Sequence, residues 1–279
     1  MRAIFVVLTV FAAVVAAAQT APGDAVIEEL QAGKGFITTP VFTAEEDQKL
    51  LALFDGLRVA DVSDGMDAVG LDNVGLMDPA IHPLWKDAET YHHRFVGVAV
   101  TARYVPTNRP SAGRMSTEEF DAWVGDWYWK VSPEPFDVLL RPGSVLVLDD
   151  ASSVDVGSIG SYNILDWKKR GMVGVVTNAT ARDTDEIETE GVPLYFRGVG
   201  RGIRPGRNEI ESVNRPVVCG GVLVIPGDVV VADGDGVVVV PRAEAAEVAG
   251  YARKILDGDK AGRRELYREL GLPDDPSVE

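Results

Sequence analysis

Cysteine and histidine are nearly absent from this 279-residue chain, which has one Cys and three His. A lone cysteine cannot close a disulfide within the chain, so the core must hold without one, and Cys219 reads as a small buried hydrophobe. His92 and His93 are adjacent and would point to opposite faces of an extended segment. With His82 as the remaining histidine, a histidine-rich zinc site is not expected. Positive charge is scarce as well. Lys and Arg number 27 against 43 Asp and Glu, a formal charge of −16, and such a balance repels phosphate backbones and anionic membranes. Nucleic acid is therefore not expected as a partner. A long apolar run occurs at the start, where Arg2 precedes Ala3 to Ala17 and Ala16-Ala17-Ala18 offers a small-residue cleavage site. This pattern predicts a signal peptide over residues 1–18, export to the periplasm or beyond, and no membrane association after cleavage.

After that run no repeat or low-complexity linker divides the sequence, and nearly half of the chain is hydrophobic, enough for one large domain with a substantial core. Residues 19–45 read as a leader and a first helix, with Val26, Ile27 and Leu30 spaced for one face. Residues 46–279 read as a single domain. Thr43-Ala-Glu-Glu46 is a capping-box pattern opening a helix through Phe54. A second helix is expected after Val59 or Ala60, capped by Asp61 or Ser63, and Asp61, Asp64 and Asp67 read as caps plus a solvated face. Phe95 to Tyr104 has the β-branched content of a strand.

An aromatic-rich insertion at about 107–141 carries Trp123, Trp127, Tyr128 and Trp129 on a helix opened by Thr117-Glu118-Glu119. Packing against the core or a neighbouring subunit is favoured over a substrate lid. Gly198-Val-Gly200-Arg-Gly202 reads as loop, since no helical pattern follows it. Val217 to Pro241 reads as short strands buried on both faces. Within it Asp233-Gly-Asp-Gly236 is a hairpin turn rather than a calcium loop, because the downstream glutamate is missing. The last helix runs from Ala243 to about Leu270 with an expected break at Gly258.

The stretch that organises the chain is Asp155 to Glu186. A glycine-rich turn with Gly157 and Gly160 leads into a short helix that stops at Lys168-Lys169-Arg170-Gly171. A buried strand, Met172 to Thr177, follows, and then a tight loop carrying Arg182 and Asp183. With Val145 to Leu148 as the preceding strand, a right-handed crossover places both loops at the carboxyl edge of a parallel sheet. Backbone N–H groups near Gly160 then face the same crevice as Arg182 and Asp183, a place for a small anion and a metal.

These residues are similar to those of the RraA-like family, which includes divalent-metal 4-hydroxy-4-methyl-2-oxoglutarate aldolases and the regulator of ribonuclease E activity. Three further stretches carry the resemblance: VADVSDGMDAVG from Val59, GVAVTARYVP from Gly97, and VVCGGVLVIPGDVVVADGDGVVVVP from Val217. The resemblance implies an α/β fold, a layered β/β/α sandwich of swivelling-domain type, assembled as a homotrimer or hexamer with sites at subunit interfaces. It implies that Gly160, Ser161, Tyr162 and Asn163 hold a substrate carboxylate through backbone amides, that Arg182 binds the pyruvyl part, and that Asp183 binds Mg²⁺ or Mn²⁺. Arg182 and Asp183 would be the catalytic pair of a carbon–carbon lyase acting on a small 2-oxo acid, an aldolase or an oxaloacetate decarboxylase. An acid supplied from a neighbouring subunit maps to Asp257 or Asp259. Ser161 stands where active family members usually carry an acid, which leaves a non-catalytic binding or regulatory protein as the alternative.

Overall fold

A computed structural model describes residues 24–150 and 155–278. The expected signal peptide at residues 1–18 lies outside these residues. The chain forms two compact units, Met1–Thr38 and Thr39–Glu279. In the first, the described helix is α1 (Asp24–Gln31), with Val26, Ile27 and Leu30 all substantially exposed.

In chain order the second unit contains α2 (Ala44–Leu53), α3 (Val59–Ala68), β1 (His82–Pro83), β2 (Phe95–Pro106), α4 (Thr117–Lys130), a 3₁₀ turn (Pro135–Leu139) and β3 (Ser144–Asp150). There follow β4 (Gly157–Ile159), α5 (Ser161–Lys169), β5 (Met172–Thr177), β6 (Thr180–Ala181), α6 (Thr184–Thr189), β7 (Leu194–Phe196) and β8 (Gly198–Val199). The chain closes with β9 (Asn208–Val213), β10 (Val217–Cys219), β11 (Val222–Val224), β12 (Val229–Asp233), β13 (Gly236–Val240) and α7 (Ala245–Leu270).

The principal sheet has the order β1-β7-β5-β3-β2-β12-β13, with β9 pairing to the far end of β2. Strands β2, β3, β5 and β7 run parallel. Their residues are apolar on both faces because helices and a second strand layer cover them. A bridge between Leu76 and Val238 brings the β1 side of the sheet back to β13, so the sheet is nearly closed. Helices α2, α3 and α7 pack on the β12–β13 end through Phe54, Met66, Val248 and Leu256. Helix α5, the 3₁₀ turn and α6 cover the opposite side through Trp167, Phe136 and Ile187.

The crossovers hold a second, smaller layer. Strands β4, β6 and β8 form their own parallel sheet. The chain therefore steps β3-β4-α5, β5-β6-α6, β7-β8, each strand of the large sheet feeding one of the small sheet. This is the layered β/β/α arrangement. Gly198–Val199, read from the sequence as plain loop, is one of these short strands, which pairs with Thr180–Ala181.

Two local expectations are corrected. Asp61 does not cap α3 from outside but sits in its first turn, where its carboxylate receives the Arg58 backbone N–H at 3.0 Å and Nε at 2.8 Å. The N–H of Val59 is instead taken by the buried Asp233 at 2.9 Å, whose other oxygen closes the turn by accepting from Asp235 N–H at 2.9 Å. Asp64 and Asp67 are exposed, the solvated face expected. Helix α7 runs unbroken through Gly258 for 26 residues. The glycine costs about 1 kcal/mol of propensity, and the buried face of Val248, Ala249, Ala252 and Leu256 outweighs it.

The capping box at Thr43 is present and starts α2 so that Asp47 points inward. Asp47 is only 4% exposed and receives Arg141 Nη2 at 2.5 Å and Arg242 Nη1 at 2.7 Å. This acid ties α2 to the turns before β3 and after β13. Removing one partner of a buried pair leaves charge unmatched, so Asp47→Asn is expected to cost about 3 kcal/mol in urea unfolding. A loss under about 1 kcal/mol, the worth of a surface pair, would contradict the anchoring role.

Candidate functional site

The small sheet brings the candidate residues together. Ile159 of β4 is in register with Ala181 of β6, and the Arg182 N–H donates to the Ile159 carbonyl at 2.8 Å. The residues that follow each strand, Gly160-Ser161 and Arg182-Asp183, are consequently neighbours. A Cβ at Gly160 would lie 2.7 Å from Asp183 Oδ2, and at Gly157 2.6 Å from Arg182 Cβ. Gly157 is required by this close approach, while a side chain at Gly160 would displace the Asp183 carboxylate. The sequence placed these residues at the edge of the main sheet, whereas they meet at the edge of the smaller one.

Gly160 is the N-cap of α5 and provides no side-chain cap. Asp183 fills that role from a distance, its Oδ2 accepting the Ser161 N–H at 3.2 Å. A carboxylate suits the positive end of a helix dipole. The N–H groups of Tyr162 and Asn163, in the opening turn, have no carbonyl partner within the helix. Asp183 adopts a left-handed conformation, φ 56° and ψ 39°, uncommon for a residue with a side chain and frequent at functional positions. Its other oxygen, Oδ1, lies 3.8 Å from Arg182 Nε, with the two side chains 35% and 39% exposed. The Tyr162 side chain, 85% exposed, points away to solvent.

Behind α5 lies a buried polar network that the sequence did not reveal. Glu134, between Pro133 and Pro135 at the end of the insertion, accepts from Asn163 Nδ2 at 2.7 Å and Trp167 Nε1 at 2.9 Å. It also pairs with Arg204, which is buried, donates to Tyr104 Oη at 2.8 Å and sits between the Tyr104 and Tyr128 rings. Asn163 thus has its side chain committed to holding the helix. The insertion packs inward here: Trp127 is buried and donates Nε1–H to the Asn208 carbonyl at 2.9 Å, while Trp129 is 83% exposed. Asn208 gives its side-chain amide to Asp150 Oδ2 at 2.8 Å, an oxygen also held by the Ser158 hydroxyl.

Asp257 is exposed on α7. Asp259, two residues on, accepts from Arg58 Nη2 at 2.9 Å. Within one chain neither is brought to Asp183 by any described contact. Cys219 is fully buried, and burial pushes its thiol up to about 12, as fits a packed hydrophobe.

Asp183 is the carboxylate available to a divalent cation in this crevice. Among the described residues no group of three His, Cys, Asp or Glu side chains converges to hold a metal. One carboxylate, with the remaining positions left to water and ligand oxygens, fits the way Mg²⁺ is commonly bound. It does not fit a closed four-ligand zinc centre.

The two stacked strand layers, with a loop site at the edge of the smaller one, define the class of fold. A family profile described as RraA-like, Aldolase/RraA, matches residues 59–239. The chain belongs to the RraA-like family. A provisionally named 4-hydroxy-4-methyl-2-oxoglutarate aldolase of Halalkalibacterium halodurans is 30% identical over 125 residues, 45% of this chain and 59% of that protein. The chain thus matches less than two thirds of this relative's length. An uncharacterized protein from Pseudomonas syringae has a solved structure with 27% identity and a TM-score of 0.61, covering 85% of this chain and 97% of that one. Streptomyces coelicolor RraAS2, described as an unusual member of the RNase ES inhibitor RraA protein family, shares the fold at a TM-score of 0.61 and 24% identity, over 78% of this chain and 98% of that one.

Asp150 is 2% exposed, and burial pushes its carboxyl above the usual range. Its Oδ1 has no hydrogen-bond partner among the described residues. As pH rises, the unfolded chain loses this proton first, so stability falls from the unfolded pKa until pH passes the raised folded value. Asp150→Asn keeps an acceptor for Asn208 and removes the buried charge. It is expected to flatten this slope and to be at least as stable as wild type at pH 7, read from urea midpoints across pH. A variant clearly less stable at pH 7, with the slope retained, would show that the charge is matched in the fold.

Proposed function

We propose that the protein is a divalent-metal-dependent lyase acting on a small 2-oxo acid and releasing pyruvate, in the manner of a 4-hydroxy-4-methyl-2-oxoglutarate aldolase, an oxaloacetate decarboxylase, or both. The observation that carries this reading is the meeting of Arg182, Asp183 and the α5 N-terminus in one crevice, set by the register of β4 with β6. The amides of the first turn of α5 bind and orient a carboxylate. Arg182 presents a planar fork of donors to the keto-acid end, and its charge is matched to the negative charge that develops on the keto oxygen as the carbon–carbon bond breaks. Asp183 would hold Mg²⁺ or Mn²⁺, which when bound supplies Lewis-acid polarisation.

Loss of CO₂ from oxaloacetate leaves the electron pair on the pyruvyl fragment directly and needs no base. Aldol cleavage must also remove the proton of the C4 hydroxyl, and the Ser161 side chain, a neutral hydroxyl, cannot take it as a carboxylate would. Decarboxylation is therefore the less demanding reaction for these residues. Assembly as a homotrimer or hexamer would let Asp257 or Asp259 of a second copy approach the crevice. Ser161 favours a second reading, a binding or regulatory protein on the same scaffold.

Pyruvate release from oxaloacetate and from 4-hydroxy-4-methyl-2-oxoglutarate, with Mg²⁺ or Mn²⁺ and with chelator, separates these readings. Turnover of one or both is expected with metal and not with chelator, and Arg182→Ala is expected to lower kcat/KM by about 10²–10³. Failure to turn over either acid with any added metal would reject the lyase and leave the binding reading.

A further inference from the structure

A second cavity, separate from the Gly160–Asp183 crevice, concentrates positive charge in a chain whose formal charge is −16. It lies where the α2–α3 turn, the entry to β2 and the second half of α7 meet, and it encloses about 890 Å³. Its walls carry Arg58, Arg94, Lys260 and Arg263, with Asp55 as the acid among its lining residues. Arg58 is matched by Asp61 at 2.5 Å and Asp259 at 2.9 Å. For Arg94, Lys260 and Arg263 no described carboxylate lies within the 4.0 Å of an ion pair. Lys260 and Arg263 are one turn apart on α7 and share a face with Leu256.

Two details indicate that Arg263 and Arg94 are held rather than loose. Arg263 donates Nη2–H to the Ser277 carbonyl at 3.0 Å, while its Nε is out of contact with water and has no partner among the described residues. A buried donor left unpaired is costly. Arg94 stacks on the Tyr91 ring, 3.7 Å from its centroid, and Tyr91 itself is held at φ 59°. That backbone region is a true outlier for a bulky residue, and such outliers cluster at ligand clamps. Between the cations the lining is apolar: Leu51, Leu57, Phe95, Val96 and Leu256.

The geometry points to a binding site for a small organic anion, an acid group on an aromatic or aliphatic body. The volume falls in the range of small-molecule sites, roughly 300–1,000 Å³. The acid group is recognised by Arg94, Lys260 and Arg263, and the body lies on the apolar lining. Arg182, Asp183 and the Gly160–Asn163 turn do not line this cavity; Asp259, a candidate acid for the crevice of a second copy, touches its wall through Arg58.

The probe is 2-naphthoate, titrated by calorimetry against the full chain, with 2-naphthalenemethanol as its neutral counterpart. The expected result is saturable binding of one naphthoate per chain, about tenfold or more tighter than the alcohol. In the double variant Arg94→Ala/Lys260→Ala, binding falls by about tenfold or more with circular dichroism and melting unchanged. Lys260→Arg, which keeps the charge, retains binding, and Arg182→Ala leaves it at the wild-type level. The inference is overturned if naphthoate shows no saturable binding, if the alcohol binds equally well, or if a folded double variant binds like wild type. Loss of naphthoate binding in Arg182→Ala would also overturn it, because the probe would then be occupying the other crevice.

Discussion

One backbone hydrogen bond, from Arg182 N–H to the Ile159 carbonyl at 2.8 Å, sets the position of everything in the candidate site. It fixes β4 beside β6, and because the strands are parallel the residue after each strand emerges on the same edge. Gly160 is then placed against the Asp183 carboxylate and Gly157 against Arg182 Cβ, the latter at a distance that leaves no room for a Cβ. The helix that begins at Ser161 takes its direction from the same edge, so a helix terminus, a guanidinium and a carboxylate converge from segments that are separate in sequence. The large sheet contributes rigidity: β3 and β5, which feed the two short strands, are buried on both faces and pair along most of their length.

The aromatic insertion has a structural role in the same assembly. Near its end, Glu134 accepts hydrogen bonds from Asn163 and Trp167 of α5 and pairs with Arg204 from the segment after β8. Trp127 and Ser132 reach Asn208, which reaches Asp150 at the end of β3. A buried polar network fixes orientation more strictly than apolar packing does, and the Glu134 end of this one holds α5 from behind, away from the Asp183 contact at its N-terminus. The insertion therefore acts on the candidate site through the helix, and no described contact places it over the crevice as a lid.

What could be read in the sequence was what depends on neighbours along the chain. The strand Met172–Thr177 stood out as an unbroken apolar run between helix-stop and turn residues, and the Thr43 capping box and the Asp233-Gly-Asp-Gly236 hairpin are written in a few adjacent residues. Gly160, Arg182 and Asp183 could be grouped because a right-handed crossover relates their loops. The second strand layer could not be read, since segments of two or three residues such as Thr180–Ala181 carry no period. Asp61 resembled a cap because caps and first-turn acids share a composition, and only the position of Arg58 separates them. The Glu134–Arg204–Asn208 network joins residues far apart in sequence, and nothing local announces such partners. Gly258 looked like a break, yet the apolar face before it carries the helix through.

The contact between Asp183 and the Ser161 amide has one more consequence. At this end of α5 the chain supplies a carboxylate of its own to the Ser161 amide, held close by the pairing of β4 with β6 and hence present at high effective concentration. In the reading proposed above, an incoming acid would share this donor with Asp183, and its apparent affinity would be reduced by the fraction of time Asp183 holds it. Under that reading a bare carboxylate would gain little at this helix end, and a compound with contacts beyond its carboxylate would be favoured.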